Sequence, residues 1–133
     1  VAQSIPFHDG SFDAAYATWA FFLSGAEPER LEAGLAEVER VVVPGGPIVV
    51  VDNAGGDQFC DLSDRALADE GSWWIERGFE RHVLDSAFRF DSLEEARELL
   101  SFYFGTDAAA RVDTTTVEFR IAAYVGRSGE VTR

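Results

Sequence analysis

Along the chain the hydrophobic period changes from that of a strand to that of a helix and back. Phe12 to Thr18, FDAAYAT, is almost wholly apolar, as expected of a strand covered on both faces. Leu31, Leu35, Val38 and Val42 then recur at spacings of four, three and four, which lines one face of a helix. Pro28 suits the first turn of that helix, and Pro44 with Gly45 and Gly46 should end it. Ile48 to Val51 is a second continuous apolar run, an expected interior parallel strand. A strand, a helix and a strand within about forty residues form a right-handed crossover unit.

Beyond Asp52 the pattern loosens. Asp52 to Asp57, DNAGGD, has the composition of a loop, and Leu62 to Ile75 is expected to be helical, with Leu67, Trp74 and Ile75 among its apolar positions. His82 to Phe90 has the alternation of a strand, with Leu84, Ser86, Phe88 and Phe90 on one side. Ser92-Leu93-Glu94-Glu95 is a capping-box signature, and the helix it opens should run to about Phe104 with Gly105 as its stop. Thr114 to Val125 closes the pattern as a long strand. Its Val117, Phe119, Ile121, Ala123 and Val125 alternate with Glu118, Arg120 and Tyr124, which suits an antiparallel strand with one wetter face. No linker, repeat or low-complexity stretch interrupts residues 1–133, so one domain with one core is expected.

Composition narrows the partners. An apolar fraction of 47%, with 11 Phe, 3 Tyr and 3 Trp, describes a folded chain and not a disordered one. A net charge of -13 argues against nucleic acid, since phosphates are neutralised by clustered Lys and Arg. No apolar run reaches the ~20 residues that span a bilayer, and no secretory signal is apparent, so no membrane partner and a cytoplasmic location are expected. The single cysteine, Cys60, cannot form an internal disulfide and fits a reducing compartment.

The most specific stretch is Ile5 to Asp13, IPFHDGSFD, which runs into AAYATWA and later into EVERVVVPGGPIVVVD, Glu37 to Asp52. The loop, the Glu-x-x-Arg of the helix and the Pro-Gly-Gly turn stand in the order and at the distances that resemble the second half of a class I S-adenosylmethionine-dependent methyltransferase. The resemblance implies an α/β, Rossmann-like but partial sheet: the family's last four strands in spatial order 4-5-7-6, the final one antiparallel, with flanking helices. The family's glycine-rich cofactor loop and following acidic residue should lie upstream of Ile5, so the domain is expected to be incomplete. Its first strand, Phe12 to Thr18, would then lack a neighbour on one side, and an unpaired apolar edge is a pairing template. A homodimer through that edge, or pairing with a missing amino-terminal half, is therefore expected.

By the same resemblance S-adenosylmethionine is the cofactor and a small molecule the acceptor. Ala2 and Gln3 would lie against the adenine, while the family's acidic position there falls on Val1, which cannot accept a hydrogen bond. Thr18 and Trp19 would face the methionine end. Open parallel sheets bind ligands beyond the carboxyl ends of their strands, which points to Thr18, Trp19, Asp52 and Asn53. Phe21, Phe22, Trp73, Trp74 and Phe79 supply the aromatic content around the expected acceptor mouth, and Phe22, Asp52, Asn53, Trp73 and Trp74 are the candidate acceptor contacts; core packing is the competing reading for such aromatics.

Methyl transfer asks little of acid-base chemistry, because the sulfonium is already activated and the protein chiefly aligns the reactants. An acceptor that must lose a proton could use a carboxylate or histidine, and Asp52, Asp57 and His82 are candidates. Loop capping by Asp52 and a structural or exposed role for His82 are the stronger readings, and His8 in its turn should face solvent. Asp52, Asp57, Asp61 and Asp64 could suggest a divalent cation site, but their spacing fits no metal loop and a solvated acidic face accounts for them, so no metal is expected. Glu37 and Arg40 stand one turn apart and form an expected structural pair. Two other readings remain open: a noncatalytic Rossmann-like dimerisation or binding module, and an NAD-type nucleotide-binding domain.

Overall fold

The structure, a computed structural model, describes residues 4–21, 28–63 and 71–131. In chain order its elements are β1 (Ala15–Thr18), α1 (Pro28–Val41), β2 (Pro47–Asn53), α2 (Gln58–Asp61), α3 (Gly71–Glu76), β3 (Glu80–Arg89), α4 (Leu93–Phe104), α5 (Thr106–Ala110) and β4 (Thr116–Arg127). The strands form one sheet in the order β1-β2-β4-β3. That is the 4-5-7-6 order implied by the motifs.

β1 and β2 pair in parallel, Ala15 opposite Ile48 and Thr18 opposite Val51. β4 runs the other way. The Ser128 amide donates to the Gly46 carbonyl at one end of the β2–β4 pairing and the Ala54 amide donates to the Arg120 carbonyl at the other, so the start of each strand meets the end of its neighbour. Against β3, the Phe90 amide donates to the Thr115 carbonyl, again end to start. The final strand is thus antiparallel, as expected.

Contacts group the chain into two units, one of Val1–Asp52, Glu70–Val83 and Ala122–Arg133, the other of Asn53–Asp69 and Leu84–Ile121. In the first unit α1 turns Leu31 and Leu35 inward, Val42 just past its end is buried with them while Val38 of the expected face is half-buried, and Ile48 and Val50 of β2 are fully buried. Each such side chain contributes about 1.5–3 kcal/mol by leaving water. The Pro-Gly-Gly turn works through its second glycine: a Cβ on Gly46 would lie 2.6 Å from the Asp13 carbonyl oxygen, so only glycine lets the two segments approach this closely. In the second unit Ala96 and Leu100 of α4, Ala109 of α5, Val112 and Val117 pack with Leu62 into one cluster, with Phe59 and Phe104 against it. The capping box forms here as expected: the Ser92 hydroxyl accepts from the Glu95 amide at 3.1 Å, and the Glu95 carboxylate accepts from the Asp91 amide at 2.7 Å.

Four expectations are corrected. The strand expected over Phe12 to Thr18 and covered on both faces is four residues long, Phe12 makes only an isolated bridge to Val42, and Tyr16 is 70% exposed. Among the described residues β1 is the edge that the resemblance implied, but its apolar composition gave no sign that Tyr16 would face outward uncovered. The helix expected over Leu62 to Ile75 does not begin at Leu62: Leu62 and Ser63 close α2 with bonds to Phe59 and Cys60, and of the expected span the described residues from Gly71 on are helical, with a Cβ on Gly71 falling 2.9 Å from the Tyr124 hydroxyl. Leu67 and Asp64 lie outside the described residues. α5 was not expected; Gly105, at φ 85°, ends α4 and the chain turns directly into a short second helix.

The last correction concerns β4. Val117 and Phe119 are buried as expected, but the buried set then shifts to Ala122, Tyr124 and Gly126, leaving Val125 exposed. An interior strand can be covered on either face. The first half of β4 gives Val117 to the α4–α5 cluster, and its second half sets Tyr124 against Trp74, so the alternation changes phase where the covering changes.

Candidate functional site

Two side chains of α1, Arg40 and Glu37, hold the loop Ile5 to Asp13. Arg40, in the last turn of α1, gives two parallel bonds to Glu37, Nε to Oε1 at 2.8 Å and Nη2 to Oε2 at 2.9 Å. It then reaches the loop, donating to the Ile5 carbonyl at 3.0 Å, the Phe7 carbonyl at 2.9 Å and the Asp9 carboxylate at 2.8 Å. Glu37 returns the contact by accepting from the Ile5 amide at 2.9 Å. The expected pair is present, and it is more than a helix-end anchor. A planar guanidinium with five donors in a fixed fork suits this work, which a lysine could not reproduce. The bonds from Arg40, and after them the Ile5 amide, hold the Glu37 carboxyl down at about 2. His8 is exposed, and its carbonyl accepts from the Ser11 hydroxyl at 2.6 Å within the same turn.

This loop leads into β1, and the carboxyl ends of β1 and β2 lie together. Thr18 is opposite Val51, and the Trp19 amide donates to the Val51 carbonyl at 2.8 Å. Thr18 and Trp19 are therefore beside Asp52, the next residue of β2. Both are exposed, whereas Asp52 and Asn53 are half-buried at the strand end. Trp19 has φ 45°, a left-handed backbone seldom adopted by a bulky residue. Such an outlier next to a strand end marks a sharply turned segment. Two residues on, Phe21 folds under against Trp74, ring centroids 5.2 Å apart and perpendicular.

The candidate aromatics divide. Trp74 is fully buried, its ring enclosed by Phe21, Trp73, Phe79 and Tyr124 at 4.7 to 5.8 Å. It is a core residue and offers no surface to an acceptor, which corrects its assignment as an acceptor contact. Trp73 is half-buried, but one face of its ring is occupied by the Arg77 guanidinium, 3.7 Å from the ring centre, which also pairs with Glu32. Only the remainder of Trp73 can meet a ligand. Phe79 is buried, and Ala2, Gln3 and Phe22 lie outside the described residues.

His82 is half-exposed on β3, its Nε2 3.2 Å from the Glu80 carboxylate. Asp57 has its two oxygens committed: Oδ1 accepts from the Cys60 amide as the N-cap of α2, and Oδ2 from the Arg120 amide, both at 2.8 Å. It fastens α2 to β4 and is not a free base. The sequence offered Asp57 as a candidate base and as part of an acidic face; its spacing of three to Cys60 was the available cap signal. Burial, and next the Asp57 carboxylate, push the Cys60 thiol up to about 12. Among the described residues no group of His, Cys, Asp and Glu could hold a metal ion. No helix among them is long and apolar enough to cross a membrane.

Residues 1–50 match a family model described as a methyltransferase domain. No curated protein matches the chain. Among solved structures, the fold is similar to a putative methyltransferase from Bacillus halodurans, at 19% identity and a TM-score of 0.56, covering 96% of this chain and 69% of that one. It is similar to the YcgJ protein from Bacillus subtilis at 14% identity and a TM-score of 0.59, with 96% and 68% covered. It is also similar to SpnF, a (4+2)-cyclase, at 21% identity and a TM-score of 0.50, with 96% of this chain and 53% of that one covered. The chain spans between about half and two thirds of these structures, and its fold is the Rossmann-like α/β fold they share. A cyclase among them makes plain that this fold does not by itself name a reaction.

Proposed function

We propose that the chain is the carboxyl-terminal part of an S-adenosylmethionine-dependent methyltransferase acting on a small-molecule acceptor. One coincidence supports this most. The residues matched by the methyltransferase model, 1–50, are those that build the Arg40-held loop, β1, α1 and the start of β2, the parallel unit whose carboxyl ends carry Thr18, Trp19 and Asp52. Ligands of open parallel sheets bind at such ends.

In this reading Thr18 and Trp19 hold the methionine end of S-adenosylmethionine; both are solvent-reachable, as a contact of that kind requires. The cofactor, when bound, supplies a methyl group already activated on a sulfonium. The work left to this chain is alignment: Asp52 orients an acceptor hydroxyl or amine and can take its proton, and the exposed part of Trp73 lies against an apolar acceptor body. A net charge of -13 disfavours a polyphosphate acceptor and favours a small molecule. The edge of β1, to which the described residues add no strand, is where an amino-terminal half, or a second copy, would add one and complete the cofactor site.

A calorimetric titration with S-adenosylhomocysteine tests this. Saturable heat that is lost in Trp19→Ala, with none for NAD, is the expected result. Absence of heat from the folded chain, and equally from any longer form carrying a glycine-rich loop, would overturn it. A second reading, a binding module without methyl transfer, draws on that same edge, and a defined dimer with no adenosyl affinity would establish it.

A further inference from the structure

We infer a second small-molecule site, in the cleft between the end of α2 and the start of β4, suited to a zwitterion with an apolar body. The cleft has a volume of about 230 Å³. Its apolar lining is Leu62, Val112 and Val117, all buried members of the α4–α5 cluster. Its polar lining is of both signs. Among the described residues Arg111 donates through Nη2, to the carbonyls of Asp61 and Leu62 at 3.5 and 3.4 Å, long contacts that use few of its five donors. Asp61 and Asp113 also line the cleft and are exposed. The ion pairs among the described residues join Arg111 to neither of them.

Two neutral groups add to the donors. Gln58 accepts from the Glu118 amide at 3.0 Å through its oxygen, which leaves its NH₂ to donate, and Thr114 accepts from the Thr116 amide at 3.2 Å, which leaves its hydroxyl hydrogen. A plain anion in this cleft would meet two carboxylates, and a plain cation would meet a guanidinium. A molecule that carries a carboxylate and an ammonium on an apolar frame pairs with both. Its carboxylate meets Arg111, with the planar fork that suits such a group, its ammonium meets Asp61 or Asp113, and its apolar part lies on Leu62, Val112 and Val117. The ligand class is therefore amino-acid-like. This site does not depend on methyl transfer.

The test uses the nitrogen-15-labelled chain and three probes: L-phenylalanine, 3-phenylpropionate, which lacks the amine, and 2-phenylethylamine, which lacks the carboxylate. L-phenylalanine should shift the amides of Arg111 to Thr114 and Val117 with a dissociation constant on the order of 1 mM, and each truncated probe should bind about tenfold more weakly. Arg111→Gln should weaken L-phenylalanine about tenfold and leave 2-phenylethylamine bound at least as well, while Asp61→Asn with Asp113→Asn should weaken both amine-bearing probes and leave 3-phenylpropionate bound at least as well. All three positions are exposed, and retained spectral dispersion shows that the variants fold. Equal binding of the three probes would reduce the cleft to an unspecific apolar groove, and no shift at these amides up to the solubility limit of phenylalanine would remove the site; either outcome overturns the inference.

Discussion

Gly45 and Gly46 stand side by side in the turn between α1 and β2, and replacing each by alanine should have different consequences for different reasons. Gly45 is exposed at φ 77°, and a Cβ there meets nothing within 4 Å. The cost of Gly45→Ala is the left-handed backbone alone, about 1–2 kcal/mol, less a gain of roughly 0.4–1 kcal/mol from a stiffer unfolded chain, so about 1 kcal/mol remains. Gly46 has no such dihedral, but it is buried. Its Cβ would fall 2.6 Å from the Asp13 carbonyl oxygen, 2.6 Å from Val42 Cγ1 and 2.9 Å from the Val43 carbonyl oxygen. Two of the three are backbone atoms that cannot rotate away, which puts Gly46→Ala at the upper end of overpacking costs, about 3 kcal/mol. With a urea slope of about 1.5 kcal/mol per molar, the unfolding midpoint should fall by about 2 M for Gly46→Ala and about 0.7 M for Gly45→Ala. Equal midpoints for the two variants, or a Gly46→Ala protein as stable as the parent, would refute the claim that close approach and not backbone conformation fixes the second glycine.

Two further predictions rest on titratable groups. Glu37 is lowered from 4.5 to about 2 in the folded chain, so its share of stability is complete above about pH 4.5 and is lost as the pH falls toward 2. Glu37→Gln should lower the urea midpoint near neutrality and lower it less at about pH 3, and a difference between parent and variant that stays constant across that range would contradict the assignment. Cys60, raised to about 12 and buried, should react with a disulfide reagent at about pH 8 only as fast as the protein opens, with labelling released by urea; prompt labelling of the folded chain would show the thiol to be accessible.

What could be read in the sequence was whatever depends on near neighbours. The spacing of Leu31, Leu35 and Val42, the Ser92–Glu95 cap and the stop at Gly105 are local chemistry, and each stands as expected. The sheet order followed from motif resemblance and not from periodicity. What escaped depends on partners far along the chain. Nothing near Tyr124 says that Trp74 will cover it, so the phase change of β4 was invisible, and for Trp74 the sequence left acceptor contact and core packing both open where the structure has it at the centre of a core. Arg40 could be paired with Glu37 from their spacing, but its bonds to Ile5, Phe7 and Asp9 cross more than thirty residues. The cleft at Arg111 joins residues about fifty positions apart and left no local trace.

The hydroxyl of Ser128 bears on how the chain comes together in time. It donates to the carbonyls of Glu39 and Val42 at 3.0 and 3.4 Å, at the very end of α1, across 89 and 86 residues. The neighbouring Gly45 amide and Gly46 carbonyl find their partners in the same residue. During synthesis α1 therefore emerges long before this donor: the Gly10 and Phe12 amides can already close the Arg40 and Val41 carbonyls, while the Glu39 and Val42 carbonyls wait until β4 has been made and docked. Closing so long a loop is slow but costs little more than closing a short one. Completion of α1 thus reports on completion of the sheet, and a hydrogen-exchange probe on the Val42 amide during refolding should gain protection with the slowest phase, whereas amides near the middle of the helix should gain it earlier.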